Sequence, residues 1–407
     1  MRILHVISGL DPVAGGPPMV VSRLAAAQAA TGQDVHLVIY DTPPVNDQID
    51  ADLRKIPGGS RLTLHRVPEP SRVEWMFSTN ARRVIEQVAP GMDVVEVHGI
   101  WDPILRAAAR VAHRLGKPCV LAPHGMLDPW ALSEKSLKKR IALAMGYRSM
   151  ITHADLLHAH SAYEADSLRE GGFNPNVEVV PNGIFLDEFM PLPEKGEYYK
   201  RHPELQGQPY VLFLARLHEV KGLDILADAF ASILPDLPTT RLVVAGPDFG
   251  ARAGLVEQVR RLGIADRVHL VGPQYGREKV MAYRDAAVFC LASKHESFGM
   301  SVAEAMICGT PVVISENCHF PDVGEVGSGR VVKRDAASIA TGLREVLSSP
   351  ALRERMGAAG QTLIQERYTW ERVARRSVEV YEQVIAARAA RAAGKGGESV
   401  LGGAGAA

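Results

Sequence analysis

Short apolar runs, each followed by a glycine-bearing polar turn and then a helical stretch, recur along this chain. Ile3 to Ile7 is the first run and reads as a buried strand. The loop Ser8 to Pro18 follows, then a helix over Met19 to Ala30, with Gly32 beyond its end. Val35 to Ile39 is the second strand. A strand–helix–strand opening of this kind predicts a parallel sheet wound in the right-handed sense. The plan repeats at Val94 to Gly99 and Val120 to Met126, two apolar runs that each end in His-Gly. Leu156 to His160 alternates like a strand, and Pro181-Asn182-Gly183 is a turn signal. A second series begins at Tyr210 to Leu214 and continues with Leu242 to Gly246, Val268 to Gly272 and Ala287 to Leu291. The fold class expected is therefore α/β, with parallel strands covered on both faces.

The second series contains the stretch that carries the most chemistry. His295-Glu296-Ser297-Phe298-Gly299-Met300 leads into a helix through Glu304, which Gly309 and Pro311 end. Glu296 sits in the loop ahead of the helix and Glu304 about two turns inside it. The N–H groups of Phe298, Gly299 and Met300 would point out of the helix start, a ready anion site. Taken singly, Glu296 favours the positive helix end and Glu304 is a solvated residue. Upstream, Arg216 and Lys221 share one strand-to-helix loop. An arginine that can bind two oxygens and a lysine acting as a point charge suit a diphosphate; unpartnered surface cations are the alternative.

Glu, seven residues, Glu, with Phe-Gly after the first and Ala-Met plus Gly-x-Pro-Val-Val after the second, resembles the retaining nucleotide-sugar glycosyltransferases of family 4, the group 1 type. The resemblance runs to about Arg388 and implies the GT-B fold: two Rossmann-like doubly wound domains facing a central cleft. The family pattern Gly-Arg-Leu is here Ala215-Arg216-Leu217, one departure. By resemblance, Arg216, Lys221 and the helix start neutralise the leaving diphosphate, Glu304 binds ribose hydroxyls and Glu296 contacts the donor sugar. Gly15 and Gly16 let backbone approach the donor phosphate or the acceptor, and backbone near Gly272 holds the base. Pro123 to Trp130 is similar to a segment of polysaccharide-assembling members, which makes His124 a donor-sugar contact and His98 an acceptor-side residue. No cofactor or metal is implied beyond the nucleotide-sugar substrate.

Other candidates weigh less. Gly9 and Gly15 lack the G-x-G-x-x-G spacing of a nicotinamide or flavin site. Asp50-Ala51-Asp52 follows no strand and reads as a solvated pair rather than a cation site. Trp75-Met76-Phe77 reads as core or domain packing. His153, His158 and His160 have no carboxylate or cysteine at zinc spacing. Ser133 to Met145 reads as a capped helix bearing Lys135, Lys138, Lys139 and Arg140. That run is either a solvated basic face or a contact for anionic lipid headgroups.

Composition narrows the picture in three ways. With 46 basic and 46 acidic residues, a general attraction to nucleic acid is not indicated. Four cysteines without C-x-x-C spacing fit a reduced, cytosolic protein. No signal peptide and no run of 18 apolar residues is evident, so a cytoplasmic protein is expected, with the inner face of the cell membrane left open. The length allows two domains. We expect an acceptor-side domain over 1–190, a linker over 191–209 and a donor domain over 210–369. A helix over 370–388 would return to the first domain, leaving a disordered tail over 389–407. The activity expected is sugar transfer from a nucleotide-diphospho-sugar to a hydroxyl of a glycan or lipid-linked acceptor, in exopolysaccharide or lipopolysaccharide assembly. A nucleotide-sugar 2-epimerase and a non-catalytic nucleotide-sugar-binding subunit are the alternatives.

Overall fold

The computed structural model describes residues 1–11, 16–134, 136–205 and 207–398. It divides into two compact units: Met1–Gly183 with the C-terminal helix from Trp370, and Ile184–Thr369.

The first unit is built on a seven-stranded sheet. Its strands are β1 (Arg2–Val6), β2 (Asp34–Tyr40), β3 (Thr63–Val67), β4 (Val94–His98), β5 (Cys119–Ala122), β6 (Leu156–Ala159) and β7 (Val177–Val179). They lie in the order β3-β2-β1-β4-β5-β6-β7, and every pair is parallel. The order reverses between β1 and β4, where open α/β sheets leave a crevice at the strand carboxyl ends. Helix Gly16–Ala30 crosses from β1 to β2. Helix Trp370–Glu398 packs against it, and Arg388 of that helix reaches Asp155 at 2.6 Å. The helix thus runs ten residues past the expected end at Arg388, while 399–407 lie outside the described residues.

The second unit carries six parallel strands: β8 (Tyr210–Leu214), β9 (Arg241–Ala245), β10 (Val268–Gly272), β11 (Val288–Leu291), β12 (Val312–Ser315) and β13 (Gly329–Val332). Their order is β10-β9-β8-β11-β12-β13, so the reversal falls between β8 and β11. Every residue of β8, β11 and β12 is buried, as continuous apolar runs covered on both faces require. Phe213, Phe230, Phe289 and Tyr283 are fully buried in one core. Each such side chain contributes about 1.5–3 kcal/mol of burial free energy.

Residues 191–205 and 207–209 of the stretch expected as linker, 191–209, fold onto this second unit. Tyr198 and Leu205 are buried in its core, and Asp285 accepts the N–H groups of Gly196 and Tyr198 at 2.7 and 2.8 Å. A second difference concerns Trp75, Met76 and Phe77. They lie on the short helix Arg72–Phe77 and are 45%, 64% and 64% exposed, so they are not core. Local sequence gives their apolar character but not the neighbours that would cover them. Asp50 and Asp52 behave as surface residues, paired with Arg66 and Lys55.

Candidate active site

In the second unit the loops after β8 and β11 meet because those strands are neighbours. The Lys294 N–H donates to the Val220 carbonyl at 2.7 Å. Gly222, at φ +69°, tucks against the Ala292 carbonyl so closely that a Cβ there would stand 2.0 Å from its oxygen. Arg334 Nε donates to that same oxygen at 3.1 Å. This stitching brings Lys221 to Glu296: the ammonium donates to Oε1 at 2.5 Å. The Ser293 hydroxyl donates to the same oxygen at 2.6 Å. Lys221 and Glu296 keep 16% and 13% of their side-chain surface exposed, so the pair is shielded without being sealed.

The helix after Glu296 spans Met300–Ile307, with Gly299 as its N-cap at φ 76°, ψ 57°. A left-handed residue there costs glycine little and other residues more. Among the described residues, no hydrogen bond uses the N–H of Phe298, Gly299 or Met300. Three unspent donors at a helix start form an anion-binding end. The Phe298 ring is buried against Phe320 and Tyr368, at centroid distances of 5.2 and 5.5 Å, so only its backbone is offered. Arg216 is exposed, stacks over Phe249 at 5.2 Å and pairs with no carboxylate among the described residues. Gly272 ends β10 at φ +77° and accepts the Gly246 N–H at 3.0 Å.

Glu304 is not a freely solvated helix residue. Lys279 donates to its Oε1 at 2.7 Å and the Tyr283 hydroxyl to its Oε2 at 3.2 Å. Burial holds the Tyr283 phenol well above its usual range, which keeps it a donor. Both partners lie on helix Gly276–Asp285, and sequence reasoning missed them along with Ser293. Lys279 and Tyr283 are four apart, hence on one helix face, but nothing local to them names Glu304 as the target.

The first unit is less open than expected. His98 is 2% exposed, and its ring nitrogens are taken by His5 at 2.8 Å and His124 at 3.2 Å. That burial removes it from direct acceptor contact. His124, in a strained turn at φ 54°, gives Nε2 to His98 and Nδ1 to His160, the latter at 2.8 Å. A sugar hydroxyl could reach a His124 nitrogen only by displacing one of these rings. Gly16 is the exposed first residue of helix Gly16–Ala30; Gly15 lies outside the described residues.

Residues 15–183 match the family described as "Glycosyl transferase 4-like domain", and residues 194–363 match "Glycosyl transferases group 1". A D-inositol 3-phosphate glycosyltransferase of Actinosynnema mirum is 30% identical over 392 residues, covering 91% of this chain and 92% of that protein. The chain belongs to the group 1, family 4 glycosyltransferases. A second D-inositol 3-phosphate glycosyltransferase, from Streptomyces avermitilis, is 33% identical over 298 residues, 69% of this glycosyltransferase and 63% of that relative. Two solved structures share the GT-B fold. Sucrose-phosphate synthase from Thermosynechococcus elongatus matches with a TM-score of 0.73 at 23% identity, covering 95% of this chain and 99% of that one. The Anabaena protein HepE, solved with UDP and glucose, matches with a TM-score of 0.75 at 18% identity, covering 94% and 100%.

Proposed function

We propose that this glycosyltransferase moves a sugar from a nucleotide-diphospho-sugar to a hydroxyl of a glycan or lipid-linked acceptor, keeping the anomeric configuration and using no metal in the chemical step. The observation that carries this reading is the Lys221–Glu296 pair beside a helix end with three unspent N–H groups. A diphosphate leaving group builds negative charge as the bond to the sugar breaks. Fixed donors already aimed at that charge lower the barrier without reorganising. Lys221, the exposed Arg216 and the N–H groups of Phe298, Gly299 and Met300 supply them. Glu296 holds Lys221 until donor arrives and then faces the sugar. Glu304, fixed by Lys279 and Tyr283, accepts from ribose hydroxyls, and backbone near Gly272 faces the base. In the first unit the Gly15-Gly16 segment serves the acceptor or the donor phosphate. The HepE structure, which contains UDP, supports a nucleotide-sugar donor.

The test is a donor screen following nucleoside diphosphate release, with UDP, GDP and ADP sugars offered with and without acceptor alcohols. We expect release with one donor class and acceptor-dependent acceleration. Conversion of donor alone into an epimer, or binding without release across all acceptors, would overturn the proposal.

A peripheral contact with anionic lipid places a cytoplasmic enzyme of this kind beside a lipid-linked acceptor. On helix Ser136–Ala142 and just beyond it, Leu137, Ile141 and Met145 are 69%, 52% and 64% exposed, and Lys138 and Arg140 stand exposed among them. Lys139 instead turns inward, donating to the Ala131 carbonyl and standing 5.7 Å from the Trp101 ring centre. Lys135 lies outside the described residues. Arg106 Nη1 donates to the Met145 carbonyl at 2.8 Å, and a cavity of about 150 Å³ lined by Phe77, Arg82, Arg106, Arg110 and Arg114 adjoins it. Basic groups near an anionic surface contribute about 1 kcal/mol each. Flotation with vesicles containing anionic phospholipid is expected to carry the protein at low salt and to lose it at high salt. Failure to float at low salt would remove the contact.

A further inference from the structure

Beneath helices Gly16–Ala30 and Trp370–Glu398, four imidazoles of the first unit form an unbroken row: His5, His98, His124 and His160. Register explains part of it. His5 on β1 stands opposite Glu96 on β4, and His98 lies two residues further along β4 on the same face. His5, Glu96 and His98 are 0%, 0% and 2% exposed.

Ser377 Oγ donates to the Ala374 carbonyl at 2.7 Å, and the Tyr381 hydroxyl donates to Glu96 Oε2. Each hydroxyl has one hydrogen, so each must accept from the Gln28 amide nitrogen, at 2.9 and 3.1 Å. The Gln28 oxygen is thereby turned toward His5 Nε2, at 2.6 Å, which must carry a hydrogen. At the other end, His160 Nδ1 faces the Val180 carbonyl at 3.3 Å and must carry one too. Four neutral rings hold four hydrogens. With both ends fixed, two remain for three ring-to-ring contacts. One contact has lone pairs on both sides.

Of the three contacts, the one between His5 and His98 lies against the Glu96 carboxylate. Glu96 Oε2 is 3.3 Å from His5 Nδ1 and 3.6 Å from His98 Nε2, and those two nitrogens are 2.8 Å apart. With the missing hydrogen at that contact, three lone-pair donors face one another across a triangle. Four ligands held at about 2.0–2.1 Å around zinc would be separated by roughly 3.3 Å, close to these edges. Each donor also has an outward partner that fixes it: Gln28 for His5, His124 for His98, and His158 Nδ1, at 2.6 Å, for Glu96 Oε1. Such outer hydrogen bonds orient metal-binding histidines and carboxylates.

We infer that His5 Nδ1, His98 Nε2 and Glu96 Oε2 bind one divalent ion of the zinc class, which ties β1 to β4. A proton is the competing occupant. The ion is structural and separate from the donor site proposed above, so its absence would leave that reading intact.

The test uses the full chain purified after growth with added zinc. We expect about one zinc ion per chain to survive dialysis. After stripping with a chelator, adding Co2+ should produce the visible absorption of a protein-bound cobalt ion. Zinc should raise the melting temperature of stripped protein by on the order of 5 °C. His98→Gln and Glu96→Gln should lose the ion, whereas His153→Ala, at an exposed histidine, should keep it. Should the two core variants not fold, the stripped wild-type chain still decides the matter through Co2+ absorption and melting. Less than about a tenth of an ion per chain with no melting shift, or equal binding by the folded core variants, would overturn the site and leave a proton as its occupant.

Discussion

Glu296→Ala is expected to lower nucleoside diphosphate release by about a thousandfold while leaving the fold intact. The Glu296 carboxylate accepts from both the Lys221 ammonium and the Ser293 hydroxyl. Without it Lys221 loses the contact that aims it, and the donor sugar loses the anion proposed to face it. Its cost to stability is small. Glu296 sits in a loop and its side chain is partly exposed, and pairs near a surface contribute about 0–1 kcal/mol. Glu296→Gln should sit between the two, since an amide can still accept from Ser293 and Lys221 but carries no charge. The measurement is kcat for acceptor-dependent release, with melting followed by circular dichroism. Turnover within a few-fold of wild type, in a variant that melts normally, would remove Glu296 from the site.

Gly222→Ala is expected to produce the largest loss of stability, about 3–5 kcal/mol. Two separate costs add here. The backbone is left-handed at φ +69°, and a Cβ would lie 2.0 Å from the Ala292 carbonyl oxygen. The chain on one side must give way. Ala292 is held by Arg334 and directly follows the fully buried strand β11, so the loop carrying Lys221 would be the part to shift. Gly327→Ala separates the two costs. Its φ is +70°, yet nothing lies within 4 Å of the added carbon, so about 1 kcal/mol is expected. Thermal melting of both variants checks the prediction. Equal losses would mean that the close approach at Gly222 contributes nothing.

The two variants also show which parts of the site were legible in the chain. Glu296, Glu304, Arg216 and Lys221 stand out as candidates because their signals are local: a loop, a helix start and a fixed spacing of seven residues. The turn at Gly299 was equally plain, since a glycine between an apolar strand and a helix has few other uses. The partners of these residues were not legible. Ser293 is three residues from Glu296, yet a serine there has many roles. Lys279 and Tyr283 reach Glu304 from another helix, and periodicity does not say which helix faces which. The two His-Gly turns suggested an open polar site, whereas β1, β4 and the covering helices sealed His98 within a row of histidines. In the opposite direction, Trp75 to Phe77 looked like core and stand exposed.

By itself the sequence determined the order of strands and helices, the existence of two wound halves and the residues able to carry charge at the helix start. Those depend on spacing along the chain, and backbone geometry turns spacing into structure locally. The tertiary structure alone decided that Lys221 meets Glu296, that Glu304 is held by Lys279 and Tyr283, and that His5, Glu96 and His98 face one another in the core. Each of these contacts joins side chains from different elements. They exist because β8 lies beside β11 and β1 beside β4, and the order of strands in a sheet follows from how whole faces pack.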